Sequence, residues 1–85
     1  YSVTPFDYNA RLLLRSFVET HCNDYPRVIC ASFMQSHPKE VERAITSLAK
    51  EGISDRSTAL YRIKMWMKNY VGQVKRQVRA EEKKL

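Results

Sequence analysis

Glycine is almost missing from this chain, with two in 85 residues. That excludes the Gly-rich loops that cradle phosphates in nucleotide-using enzymes, which need several positions free of a Cβ. Cysteine is equally sparse. Cys22 and Cys30 make no disulfide framework, and two buried, reduced thiols are expected in preference to the one conceivable bridge. With His21 and His37 they are the only soft metal ligands, and the close Cys pair of zinc fingers and ribbons is lacking, so no metal is expected. No apolar run approaches the roughly 18 residues of a membrane span, and no signal-peptide pattern occurs. The expectation is an intracellular domain, nuclear or cytoplasmic, without a membrane partner. No Ser/His/Asp or Cys/His arrangement can be argued, and the acids lie spread near predicted helix ends. Neither catalysis nor a cofactor is expected.

Acidic residues are missing from one long stretch, and this absence is the most informative. No Asp or Glu occurs between Arg56 and Ala80. From Tyr1 to Asp55, six Lys/Arg face seven Asp/Glu, a net of −1. From Arg56 to Leu85, nine Lys/Arg face two Asp/Glu, a net of +7. The overall charge of +6 therefore belongs to the C-terminal third, and such asymmetry points toward an acidic partner.

What remains has an ordinary globular composition, 44% hydrophobic, in a length that suits one domain. The pattern predicts four helices. Thr4-Pro5-Phe6-Asp7 reads as a capped start, and Phe6, Ala10, Leu13, Leu14, Phe17 and Val18 make one apolar face of a helix from about Pro5 to His21. Asp24-Tyr25-Pro26 restarts a second helix. Its apolar segment, residues 27–35, would suit a strand by periodicity, but no second strand exists to pair with it. Ser36-His37-Pro38 separates a third helix, whose stripe is Val41, Ala44, Ile45, Leu48 and Ala49 and whose end is marked by Gly52. Ser54-Asp55 then caps a long fourth helix running to at least Arg79. The expected fold is an all-α, four-helix array in residues 1–85, with three short helices packed on one long basic C-terminal helix and a charged tail projecting at about residues 80–85.

On the long helix, Leu60, Ile63, Met67, Tyr70, Val71, Val74 and Val78 share an arc of roughly 100°, flanked by Trp66. Lys64, Lys68, Lys75 and Arg79 line the neighbouring flank, with Tyr61 at its edge, while Arg62 and Arg76 face outward. Solvated helices ordinarily mix charge signs, because like charges four apart cost roughly 0.2–0.5 kcal/mol per pair. A phosphate backbone would relieve that repulsion. Three readings follow. The first is a nucleic-acid-binding module contacting phosphates of DNA or RNA through Lys64, Lys68, Lys75 and Arg79, with Arg62 and Arg76 secondary. The second is a protein-interaction or assembly module that docks an acidic or helical partner, through Tyr61, Met65 and Trp66 or through the same basic flank. The third is a helix-turn-helix, with Lys39, Arg43, Ser47 and Lys50 entering a major groove. Glu42 and Glu51 on that surface weigh against it. A plain solvated flank, with Lys and Arg serving only as good helix formers, is the bland alternative to all three.

Because the apolar stripe ends at Val78, removing residues 81–85 should leave the melting temperature nearly unchanged. Val74→Ala should instead cost about 1–3 kcal/mol by chemical denaturation. A large loss on deletion would show that the tail packs.

Overall fold

The computed structural model describes residues 4–84, and the fold is all-α. Four helices occur in order: α1 (Tyr8–Thr20), α2 (Pro26–Ser36), α3 (Pro38–Lys50) and α4 (Arg56–Lys84). No strand is present among the described residues, and Val28-Ile29-Cys30 lies within α2. No helix among them is long and apolar enough to cross a membrane.

Each short helix packs more extensively on α4 than on another short helix. At about 1.5 Å per residue the 29 residues of α4 run roughly 43 Å. That nearly equals the longest dimension of the molecule, 46 Å, against 27 and 20 Å in the other directions. The long helix is thus a full-length wall, and the short helices share it. Its buried line is Ala59, Ile63, Met67, Val71 and Val74, spaced four, four, four and three. Against it lie Ala10, Leu14 and Val18 of α1, Ile29, Cys30 and Phe33 of α2, and Ala44 and Leu48 of α3. Phe33 meets Phe6 and Phe17 edge-on, with centroids 6.0 and 5.8 Å apart, so aromatic edges and faces interlock where α1 and α2 converge on α4. Among the described residues no polar side chain is buried in this core.

The helix ends explain the chain reversals. Asp7, one turn later than the expected Thr4, caps α1, its carboxylate accepting from the Ala10 N–H at 2.8 Å. The later start leaves Phe6 off the helix, free to turn inward between Phe33 and Trp66. Asp24 does not cap α2. Tyr25 takes that position without a side-chain bond, and Pro26 opens the helix. His37 alone joins α2 to α3. Its N–H closes α2 on the Phe33 carbonyl at 2.8 Å, and its carbonyl accepts from Val41 at 3.3 Å.

At the end of α3 the Gly52 N–H bonds the Ala49 carbonyl at 3.1 Å and the Ile53 N–H bonds Leu48 at 2.9 Å, the paired closure of a Schellman motif. Gly52 holds φ at 101°, a left-handed conformation that a side chain would strain. Asp55 opens α4 by accepting from both the N–H and the hydroxyl of Thr58, at 3.0 and 2.7 Å, which holds its carboxyl below its ordinary 3.8. Arg56 makes a two-pronged pair with Glu42 of α3, at 2.6 and 3.2 Å, and depresses the Glu42 carboxyl in turn.

Two expected core positions are corrected. Leu13 and Ala49 are exposed. Each lies about 80–100° from the centre of its helix's buried line, on the edge that no neighbour covers. Among the described side chains of α4 the last buried one is Val74, Val78 is half-buried, and Arg79, Ala80 and Glu81 are exposed. The rest of the charged tail lies outside the described side chains.

Phe33 is wholly buried at the aromatic junction. Phe33→Ala should cost about 3–5 kcal/mol, comparable to the lower end of the total expected for a domain of this length. Urea denaturation checks this, and a loss under about 1 kcal/mol would mean that the site collapses around the truncation.

Candidate nucleic-acid interface

The flank of α4 next to its buried line faces α2. Of the four cations expected there, Lys64, Lys68 and Arg79 are exposed. Lys75 is half-buried, and its Nζ donates to the Asp24 carbonyl at 2.7 Å. It links the α1–α2 loop to α4 at the surface. The Asp24 carboxylate turns instead to His21, 3.4 Å away. Arg62 and Arg76 are exposed on the outward side, away from α2.

Two open grooves meet at Lys68. One, of about 540 Å³, is lined by Ser57, Leu60, Tyr61, Lys64, Met65 and Lys68. The other, also about 540 Å³, is lined by Tyr25, Pro26, Arg27 and Lys68. Lys64 and Lys68 stand one helical turn apart, about 6 Å along the axis. Arg27 reaches the same surface from α2 and extends the positive track beyond the long helix. The amino end of α2, with its positive dipole, adds to that field. Beneath Lys68 sits Cys30, whose thiol burial pushes up, an effect the nearby Lys68 charge tempers.

The aromatic residues divide. Tyr61 is 57% exposed, Met65 45% and Tyr25 73%. Trp66, by contrast, is half-buried, stacked on Tyr70 at 5.1 Å with the planes 11° apart and edge-on to Phe6 at 5.5 Å. The Tyr70 hydroxyl donates to the Arg11 carbonyl at 3.4 Å. Trp66 therefore serves the junction of α1 with α4.

Ion pairs hold three arginines elsewhere on the surface, whereas among the described residues Arg11, Lys39, Lys50, Arg62 and Arg76 have none. Arg15 pairs with Glu19, Arg43 lies near Asp7 and Glu40, and Arg56 holds Glu42. Among the described residues no acid pairs with Arg27, Lys64 or Lys68. The α3 face is different in kind, because Arg43 Nη2 sits 3.5 Å from Glu40 and 3.8 Å from Asp7. Its single-residue link to α2 is also shorter than the three- or four-residue turn of a helix-turn-helix.

Sequence reasoning missed Arg27 and Tyr25. They lie about forty residues from Lys68 in the chain, and only the docking of α2 on α4 brings them together. Among the described residues no cluster of three or more His, Cys, Asp or Glu side chains gathers to hold a metal ion. Cys22 and Cys30 are both free thiols, the first half-buried and the second buried. Comparison with known proteins gives no match to any family model, curated protein or solved structure.

Lys75→Met should destabilise the domain by about 0.5–1 kcal/mol, since one hydrogen bond between loop and helix is lost. Lys68→Gln should leave stability within about 0.5 kcal/mol, as for other surface changes. Equal effects in urea denaturation would contradict the assignment of Lys75 to the fold.

Proposed function

We propose that this domain is a nucleic-acid-binding module, not an enzyme, and that it holds phosphates on the flank formed by Lys64, Lys68 and Arg79 of α4 with Arg27 of α2. The observation carrying this reading is the acid-free track at Arg27, Lys64 and Lys68, which the docking of α2 brings onto a helix with no acid from Arg56 to Ala80. Like charges packed along one helix repel, and phosphates both relieve that repulsion and release their condensed counterions. Arg62 and Arg76 contribute at longer range from the outward side. Lys75 contributes least, its amino group being bonded within the fold. Such a ligand places the domain in the nucleus or cytoplasm.

A second reading, docking of an acidic protein partner, is favoured by the exposure of Tyr61 and Met65 beside the same lysines. Trp66 is too enclosed to lead that contact.

Titration of a labelled random-sequence duplex at low and moderate salt tests the choice. Changing Arg27, Lys64, Lys68 and Arg79 together to Gln should lower the magnitude of the log K against log [salt] slope by about three to four, at roughly 0.9 per phosphate contact. Gln preserves helix propensity, so the fold should survive. Lys39, Arg43 and Lys50 changed to Gln should leave the slope alone. No binding at low salt would sink the nucleic-acid reading and promote the protein partner. An effect from the α3 set alone would move the surface.

A further inference from the structure

We infer that the ligand of this surface is single-stranded, with one base lodged against Tyr61, a second base of the same strand against Tyr25, and phosphate held between them at Lys68. The inference rests on the nucleic-acid reading above and specifies its substrate. A flank built only to grip a duplex needs cations and little else, because a duplex presents phosphates outward and keeps its bases stacked inside. This surface is different. On either side of Lys68 lies a shallow, open groove of about 540 Å³, and each groove is lined by an exposed tyrosine.

The linings are also wrong for phosphate alone. Leu60 and Met65 join Tyr61 in the first groove, and Pro26 joins Tyr25 in the second. Apolar walls gain nothing from a phosphate but do gain from covering the face of a base, and every base has a face to offer an aromatic ring. The cations then fall where a strand needs them. Lys64 shares the first groove with Tyr61, Arg27 shares the second with Tyr25, and Lys68 belongs to both. A single strand threading the two grooves alternates base and phosphate against alternating ring and cation. A duplex would leave both tyrosines and the apolar walls uncovered. Little in this arrangement reads base edges, so sequence preference should be weak.

The test uses the whole chain and two probes, a labelled oligothymidylate of about twelve nucleotides, within the range single-strand sites span, and the duplex it forms with its complement. At moderate salt the single strand should bind about tenfold more tightly. Tyr61→Ala and Tyr25→Ala should each weaken single-strand binding by at least about fivefold, leave its salt slope unchanged and leave duplex binding unchanged. Tyr61→Phe and Tyr25→Phe should restore single-strand binding, since the ring and not the hydroxyl makes the contact. Both tyrosines are exposed, and helical circular dichroism of each variant verifies the fold. If the duplex binds as tightly as the single strand, if the alanine variants are silent, or if phenylalanine fails to rescue, the single-strand inference falls. Loss of duplex binding in the cationic quadruple variant would still uphold the parent reading in that event. If neither probe binds at low salt, both fall together.

Discussion

Three short helices and one long one can make a core in so small a chain only if a single buried stripe serves them all. Ala59, Ile63, Met67, Val71 and Val74 provide that stripe, and each helix lays its own narrow line against it. None of the short helices, at 11 to 13 residues, would be more than marginal alone in water. Each exists because α4 is there to pack on. The small residues Ala10, Ala44 and Ala59 fall where helices meet, and the large Phe33, Leu14 and Met67 fill the spaces between. With no polar side chain buried among the described residues, the core specifies little about direction. Direction comes from the ends: Asp7, Pro26, the single residue His37, Gly52 and Asp55 each fix where a helix stops or starts.

The same arrangement decides what is left for solvent. One face of α4 belongs to the core, so its cations crowd onto the rest. An isolated helix with Lys64 and Lys68 on one flank, and no acid to offset them, would be weakened by their repulsion. Here packing outweighs it, since a few tenths of a kcal/mol per like-charged pair is small beside the burial of even one Ile63 or Met67 side chain. A fold held by its wall can carry charge where a free helix would not.

The architecture was legible because the signals agreed. Proline at helix starts, a carboxylate before α4, glycine after α3 and a regular apolar spacing all pointed the same way. The errors came where a local rule had two candidates. Thr4 and Asp7 both suit a cap, and Asp7 won because starting one turn later lets Phe6 turn into the aromatic junction. Leu13 and Ala49 lie at the edge of their stripes, where helical periodicity alone cannot say which side a neighbour covers. The exposed lysines of α4 followed from the wheel, as did the exposure of Tyr61 and Met65. Trp66, at the margin of the arc, was settled only by the arrival of Phe6 and by Tyr70 beneath it.

The surface itself was half legible, and the reason is physical. A helical wheel counts charge on one cylinder, but a ligand meets what several cylinders present together. Lys75 shares an arc with Lys64 and Lys68, yet its amino group is drawn to a loop carbonyl that periodicity cannot place. Arg27 sits in a uniformly apolar helix with nothing to mark it, yet docking sets it beside Lys68. One cation is withdrawn from the flank and another is supplied, so the number of charges stays close to what the long helix suggested while their positions do not. The packing of Ile29, Cys30 and Phe33 on α4 is what places α2, and with it Tyr25 and Arg27, beside Lys68.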